Sequence, residues 1–206
     1  MLLMGQFDSP FVRRVGIALE LYGIAYEHRP WSVWRDAEAL AAYNPLRRVP
    51  TLVRDDGEVL LESGAILDAL DEEVGPERAL LPREGALRRD GLRVIALATG
   101  LADKAVSLFY EQLLHPQASE KWVARCRSQI DGVLGALDAD RARRTTEYWL
   151  GPSLSHADIA VACALRFVAE SQARTFEPAA FPALSAHLAG CESLSVFQKI
   201  SQPFTV

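Results

Sequence analysis

Every run of residues that reads as a β-strand lies before residue 62, and from Ala86 onward no convincing strand follows. That asymmetry restricts the chain to a small mixed α/β part followed by a helical part, since each layer must bury its apolar face on another. With 206 residues there is enough chain for one large domain or two small ones. Half of the residues are hydrophobic, 24% are charged and the net charge is -5, the profile of a soluble globular protein. The most apolar stretch, residues 159–165, falls far short of the ~18 residues that a membrane span needs. No basic leader opens the sequence MLLMGQFDSP, and Asp8, Arg13 and Arg14 follow too soon for a secretory signal, so a cytoplasmic location is expected.

Side-chain inventory excludes several chemistries. Three cysteines, Cys126, Cys163 and Cys191, are widely spaced and odd in number, which fits a reducing compartment better than a disulfide framework. The four histidines, at 28, 115, 156 and 187, form neither an H-E-x-x-H motif nor a cluster with cysteine, so no metal site is expected. An acidic balance with scattered arginine pairs disfavours a nucleic-acid binder.

The order of elements follows from patterning. Leu2–Met4 is a short buried strand ending at Gly5. Ser9-Pro10 opens a helix, serine as N-cap and proline where a missing N–H costs nothing, and Gly23 closes it. Residues 25–29 make a second strand, parallel to the first, and 37–43 a short helix. Asp55-Asp56-Gly57 between residues 49–53 and 58–61 predicts a hairpin. Ser63 is expected to cap the next helix, which ends at Gly75-Pro76. The segment GPERALLPREG then reads as a linker. Beyond it, residues 86–114 and 119–138 read as long helices, and 138–146 as a helix end and charged surface loop. Ser155-x-x-Asp158 is a capping box before a helix apolar nearly all round, and a shorter helix from Phe181-Pro182 and a final turn near 196–200 follow. Met4, Leu92, Leu97 and Leu101 are expected in the core.

Four motifs in this order resemble the cytosolic glutathione transferases, in their bacterial, serine-type form. Ser9 to Val15, S-P-F-V-R-R-V, is similar to that family's Ser-Pro-x-x-Arg-Lys-Val opening. N-P-L-R-R-V-P at 44–50 is similar to Asn-Pro-x-Gly-x-Val-Pro, with Arg47 standing where glycine is usual. Glu62-Ser63 resembles the acidic-serine pair that holds the glutamyl end of glutathione, and Ser155-x-x-Asp158 the capping box of the buried sixth helix. The resemblance implies a thioredoxin-like domain over 1–75, a linker over 76–85, and an all-helical glutathione-transferase C-terminal domain over 86–206 carrying the acceptor pocket and dimer contacts.

It also implies roles. Glutathione is the expected co-substrate, bound by Arg48, Val49, Pro50, Glu62 and Ser63, with Val49-Pro50 in the cis form. A free backbone N–H and C=O at Val49 would take an extended peptide as an added strand. At a strand-to-helix junction, Ser63 and the helix dipole favour a carboxylate, and Glu62 answers the neighbouring ammonium. Ser9 is the expected catalytic residue: a hydroxyl donor at a helix N-terminus stabilises a thiolate and so lowers the thiol pKa. No cysteine precedes Cys126, which disfavours the thiol-disulfide branches of the family. Phe7 lacks the hydroxyl of the tyrosine branches, and Phe7-Asp8-Ser9 departs from the Ser-Ser-Cys of the maleylacetoacetate isomerase branch.

Phe11, Trp34, Phe109 and Tyr110 are expected to wall a pocket for a hydrophobic electrophile, and a homodimer would bring Asp103 near a neighbour's glutathione. Arg47 is expected to point to solvent. Two alternatives stay open: a transferase-like binding or regulatory protein of the stringent-starvation type, and a glutathione-dependent lyase or dehalogenase.

Overall fold

The computed structural model describes residues 1–171 and 176–204. By contact, the chain divides into two compact units, one of Met1–Arg83 together with the segment from Ser195 onward, the other of Glu84–Leu194. The sequence places everything after residue 86 with the helical part, yet the last segment groups with the sheet.

In the first unit, β1 (Leu2–Met4), β2 (Glu27–Arg29), β3 (Thr51–Val53) and β4 (Val59–Leu61) form one sheet in the order β2-β1-β3-β4. Strand β1 runs parallel to β2, with Leu3 opposite His28, and antiparallel to β3, with Leu3 opposite Leu52. The β3–β4 hairpin turns at Gly57, whose φ of 90° is open to glycine without strain. Helices α1 (Pro10–Tyr22), α2 (Ala37–Ala41) and α3 (Ser63–Val74) complete the α/β part. The core joins Leu3 and Leu52 of the sheet to Val12, Val15, Ala18 and Leu19 of α1 and Ile66, Leu67 and Leu70 of α3. Each of the buried valine, leucine and isoleucine side chains contributes roughly 1.5–3 kcal/mol when removed from water.

Part of the linker is anchored to this unit. The buried Tyr22 hydroxyl donates to Asp71, and the Leu80 N–H donates to both at 3.2 and 3.1 Å. Burial pushes the Tyr22 hydroxyl far above its usual pKa, with the Asp71 hydrogen bond acting in the same direction.

Helices α4 (Gly85–Leu114), α5 (Glu120–Ala142), α6 (His156–Ser171) and α7 (Pro182–Glu192) build the second unit, with a single 3-10 turn at Pro178–Ala180; α8 (Ser195–Lys199) belongs to the first. Helix α6 is its centre, buried from His156 through Leu165, as its unbroken apolar run requires. The Asp158 carboxylate, fully buried, accepts from the Ser155 N–H at 2.9 Å, the Ser155 hydroxyl and the Trp149 N–H at 2.8 Å. The capping box thus fixes the approach to α6 as well as its first turn.

Two expectations need correction. Leu92 is 42% exposed, because α4 turns that position away from the helices packed on it. The charged stretch 138–146 is more than a surface loop. Helix α5 runs on to Ala142, the Asp138 carboxylate caps α7 by accepting the Leu184 N–H at 3.0 Å, and Asp140 is nearly buried. Asp140 accepts from Trp149 Nε1 at 2.8 Å and from Arg144 at 2.8 Å, while Arg144 also reaches Asp90 on α4 at 2.8 Å. Burial raises the Asp140 carboxyl, but the bonds from Trp149 and Arg144 outweigh it and leave its pKa below the ordinary value; the Arg144 hydrogen bond lowers that of Asp90 likewise.

Carboxylates with depressed folded-state pKa values add stability that is complete above their unfolded value, near 3.9 for aspartate, and is lost as pH falls below it. Arg144→Met is expected to cost about 1–3 kcal/mol at neutral pH and to flatten the loss of stability below about pH 4. Urea unfolding at stepped pH measures both; an unchanged acid slope contradicts the role given to Arg144.

Candidate active site

The C-terminal ends of β1 and the start of α1 meet the loop before β3 at Gly5. A Cβ there would lie 2.4 Å from Val12 Cγ2 and 2.8 Å from Val49 Cβ, and the backbone φ is 123°. Only glycine lets the three segments approach so closely. The turn after Gly5 closes with the Ser9 N–H on the Gln6 C=O at 3.1 Å. Ser9 is then the N-cap of α1: its backbone is extended, its hydroxyl oxygen accepts the Val12 N–H at 3.4 Å, and Pro10 takes the first helical position. The long, weak cap bond leaves the hydroxyl hydrogen and a lone pair for another partner.

The Val49-Pro50 peptide is cis. Among the described residues neither the N–H nor the C=O of Val49 has a hydrogen-bond partner, while its neighbours are firmly held. Asn44, 2% exposed, donates from Nδ2 to the Arg48 C=O at 3.0 Å and to Thr51 Oγ1 at 3.1 Å, and accepts the Leu46 N–H. Asn44 was not singled out from the sequence. Its signal is a short amide beside proline, a residue type that stabilises turns by bonding the backbone.

Ser63 differs from its expected role. It is the first residue of α3 and the N-cap is Glu62, which has a φ of 66° and makes no side-chain cap bond. Ser63 is buried, and its hydroxyl accepts from Arg14 Nη1 at 3.4 Å. Arg14 was also missed; an arginine on the buried face of α1, 3% exposed, is the unusual feature. The first-turn N–H groups of α3 and the Arg14 guanidinium make this corner attractive to an anion. Glu62 turns outward and pairs with Arg48 at 3.3 Å, both more than half exposed. Such a pair adds little stability, so its members remain open to a ligand.

Arg47 is exposed and pairs with Glu38 at 3.1 Å. Its φ of 51° lies in the left-handed region, where glycine sits without strain. Of the aromatic residues, Phe11 stands half-buried in the first turn of α1 and Trp34 is 61% exposed, both in the first unit. In the second unit Phe109 and Tyr110 meet edge to face at 5.3 Å on α4, and Asp103 pairs with Lys104 at 2.9 Å. Among the described residues no group of three metal-binding side chains is present, and no helix is long and apolar enough to cross a membrane.

Residues 3–78 match the N-terminal domain of glutathione S-transferases and residues 120–190 match the C-terminal domain. The chain is 31% identical to an uncharacterised GST-like protein, YibF, of Escherichia coli K12, over 82% of each chain. It is 39% identical to a maleylacetoacetate isomerase of Pseudomonas aeruginosa over 66% of this chain and 70% of that one. A glutathione S-transferase of Methylobacterium radiotolerans, solved in complex with glutathione sulfonate, superposes with a TM-score of 0.90 at 26% identity, over 100% of this chain and 97% of the other. The chain belongs to the glutathione S-transferase family. Its architecture is the one the motifs implied, a thioredoxin-like α/β unit followed by a helical one.

Arg47→Gly is expected to stabilise the protein by up to about 1 kcal/mol, relief of the left-handed strain outweighing the added flexibility of the unfolded chain. Urea unfolding reads the change. A clear loss of stability would show that the Glu38 pair, rather than backbone strain, governs this position.

Proposed function

We propose that the protein binds glutathione along the line from Ser63 to Ser9 and conjugates its thiol to a hydrophobic electrophile. The single observation that carries this reading is the grouping of three complementary groups around Gly5 and the β4–α3 corner. Ser63 and the α3 N-terminus, with Arg14 beneath, suit the glutamyl carboxylate, and Glu62 suits its ammonium. The unpaired Val49 N–H and C=O suit the backbone of the central cysteine, as one more strand beside the sheet. Ser9, the N-cap of α1, suits the sulfur.

In this reading Ser9 donates its hydroxyl hydrogen to the sulfur, and the α1 N-terminus adds its dipole. Both interactions favour thiolate over thiol, so the thiol pKa falls toward neutrality without a general base. The thiolate attacks the electrophilic carbon, a carbon–sulfur bond forms, and the leaving group departs with the bonding pair. Holding the sulfur in place supplies the rest of the acceleration. Arg48 is suited to the glycyl carboxylate, with Glu62 as its resting partner. Within the first unit, Phe11 and Trp34 are suited to an apolar acceptor, and a homodimer would bring Asp103 toward the partner's glutathione.

The likeness to the isomerase favours one second reading. An isomerase adds the thiolate to a conjugated double bond and later expels it, so glutathione is not consumed, whereas conjugation consumes one glutathione for each turnover.

Ser9→Ala is expected to lower the conjugation rate with a chloro-nitroaromatic acceptor at least about tenfold, a loss of about 1.4 kcal/mol in the transition state, while glutathione affinity changes little. Steady-state kinetics with varied glutathione makes the measurement. An unchanged rate removes Ser9 from the chemistry. Failure of the wild-type protein to be retained on immobilised glutathione removes the whole reading in favour of a non-catalytic binding protein.

A further inference from the structure

The last segment of the chain returns to the first unit and is seated there by a buried cation. Arg13, 2% exposed, donates from Nε to the Ile200 C=O at 2.8 Å and from Nη2 to the Phe197 C=O at 2.9 Å. These carbonyls lie at the end of α8, where helical partners run out and a positive charge is favoured. The same guanidinium lies over the Phe197 ring, 5.5 Å from its centroid, and Lys199 pairs with Glu20 of α1 at 2.6 Å. Gly16 of α1 is packed from both sides: a Cβ there would lie 2.7 Å from the Phe7 ring and 3.0 Å from Ile200.

From this seat the chain continues to Gln202, whose Oε1 accepts the Phe7 N–H at 3.2 Å. Phe7 is the second residue of the turn that ends at Ser9. Its ring is stacked on His28 at 3.9 Å and 15°, and His28 Nε2 bonds the Gly5 C=O at 2.8 Å. The turn is therefore held by its ring on one side and by its backbone N–H on the other. Without Gln202 the Phe7 N–H loses its acceptor and the backbone between Gly5 and Ser9 loses one of its restraints.

We infer that the C-terminal segment, seated by Arg13, is a positioning element of the thiol site and that Gln202 is its positioning residue. Gln202 acts through Phe7 on the orientation of the Ser9 hydroxyl. The inference rests on Ser9 being the thiol activator. It follows that loss of Gln202 disturbs activation of the sulfur and spares binding of the peptide, because the loop around Val49 is held by Asn44 at Arg48 and Thr51, and Ser63 by Arg14.

The experiment compares wild type, Gln202→Met and a chain ended at Ser201, the last two each removing the acceptor while leaving Arg13 and α8 in place. Two quantities are read: the pH at which bound glutathione gains its thiolate ultraviolet absorbance, and the kinetics of conjugation. Both variants are expected to raise that midpoint by about half a pH unit or more and to lower kcat about threefold or more, with the KM for glutathione within about twofold of wild type. A midpoint and kcat equal to wild type in both variants overturns the inference. So does an effect confined to KM, or one matched by general loss of stability in thermal unfolding. If wild type itself shows no bound thiolate at neutral pH, the reading of Ser9 fails, and that outcome is separate from a variant that merely equals wild type.

Discussion

The site depends on one close approach. At Gly5 the backbone passes so near Val12 and Val49 that no side chain fits between them, and its φ of 123° is one that glycine alone adopts readily. Three elements from separate stretches of sequence meet there: the end of β1, the first turn of α1 and the cis-proline loop before β3. The meeting packs the cis-proline loop and the first turn of α1, which Ser9 caps, against a single residue. Substituting any side chain at Gly5 would press these segments apart, and the proposed thiol and peptide subsites would separate with them.

Around that contact the first unit supplies rigidity by buried polar groups more than by the short strands. Strands of three residues bury little alone. Asn44 holds the loop before β3, Arg14 sits under Ser63, and Arg13 holds the returning C-terminal segment. Each is buried and hydrogen-bonded to another stretch of the chain, so each favours one arrangement where an apolar side chain would permit several. The second unit repeats the device: Asp158 fixes the approach to α6 and Asp140 the exit from α5, through Trp149 and Arg144.

Much of this was legible in the sequence, and the unread parts share a cause. The succession of elements along the first unit, the Gly57 hairpin, the Ser9-Pro10 helix start and the Ser155-x-x-Asp158 box are local signals, read within a few residues. Arg13, Arg14 and Asn44 are not local: what buries each is a partner 187, 49 or 7 residues away. Charged residues are ordinarily solvated, so the arginine pairs and the stretch 138–146 read as surface until their partners were in view. Ser63 read as a cap because serine commonly caps; here Glu62 takes the strained cap position and leaves the hydroxyl of Ser63 beside Arg14. Leu92 read as core because helical spacing predicts a face without saying where its packing partners stop.

The central claim is that sulfur activation at Ser9 and peptide recognition at Val49 and Ser63 belong to one site organised around Gly5. A crystal structure of the protein with glutathione tests it most directly. The account predicts the sulfur within about 3.5 Å of Ser9 Oγ, the cysteinyl backbone paired with the Val49 N–H and C=O, and the glutamyl carboxylate at Ser63. Glutathione bound elsewhere, or bound with its sulfur turned away from Ser9, would contradict it.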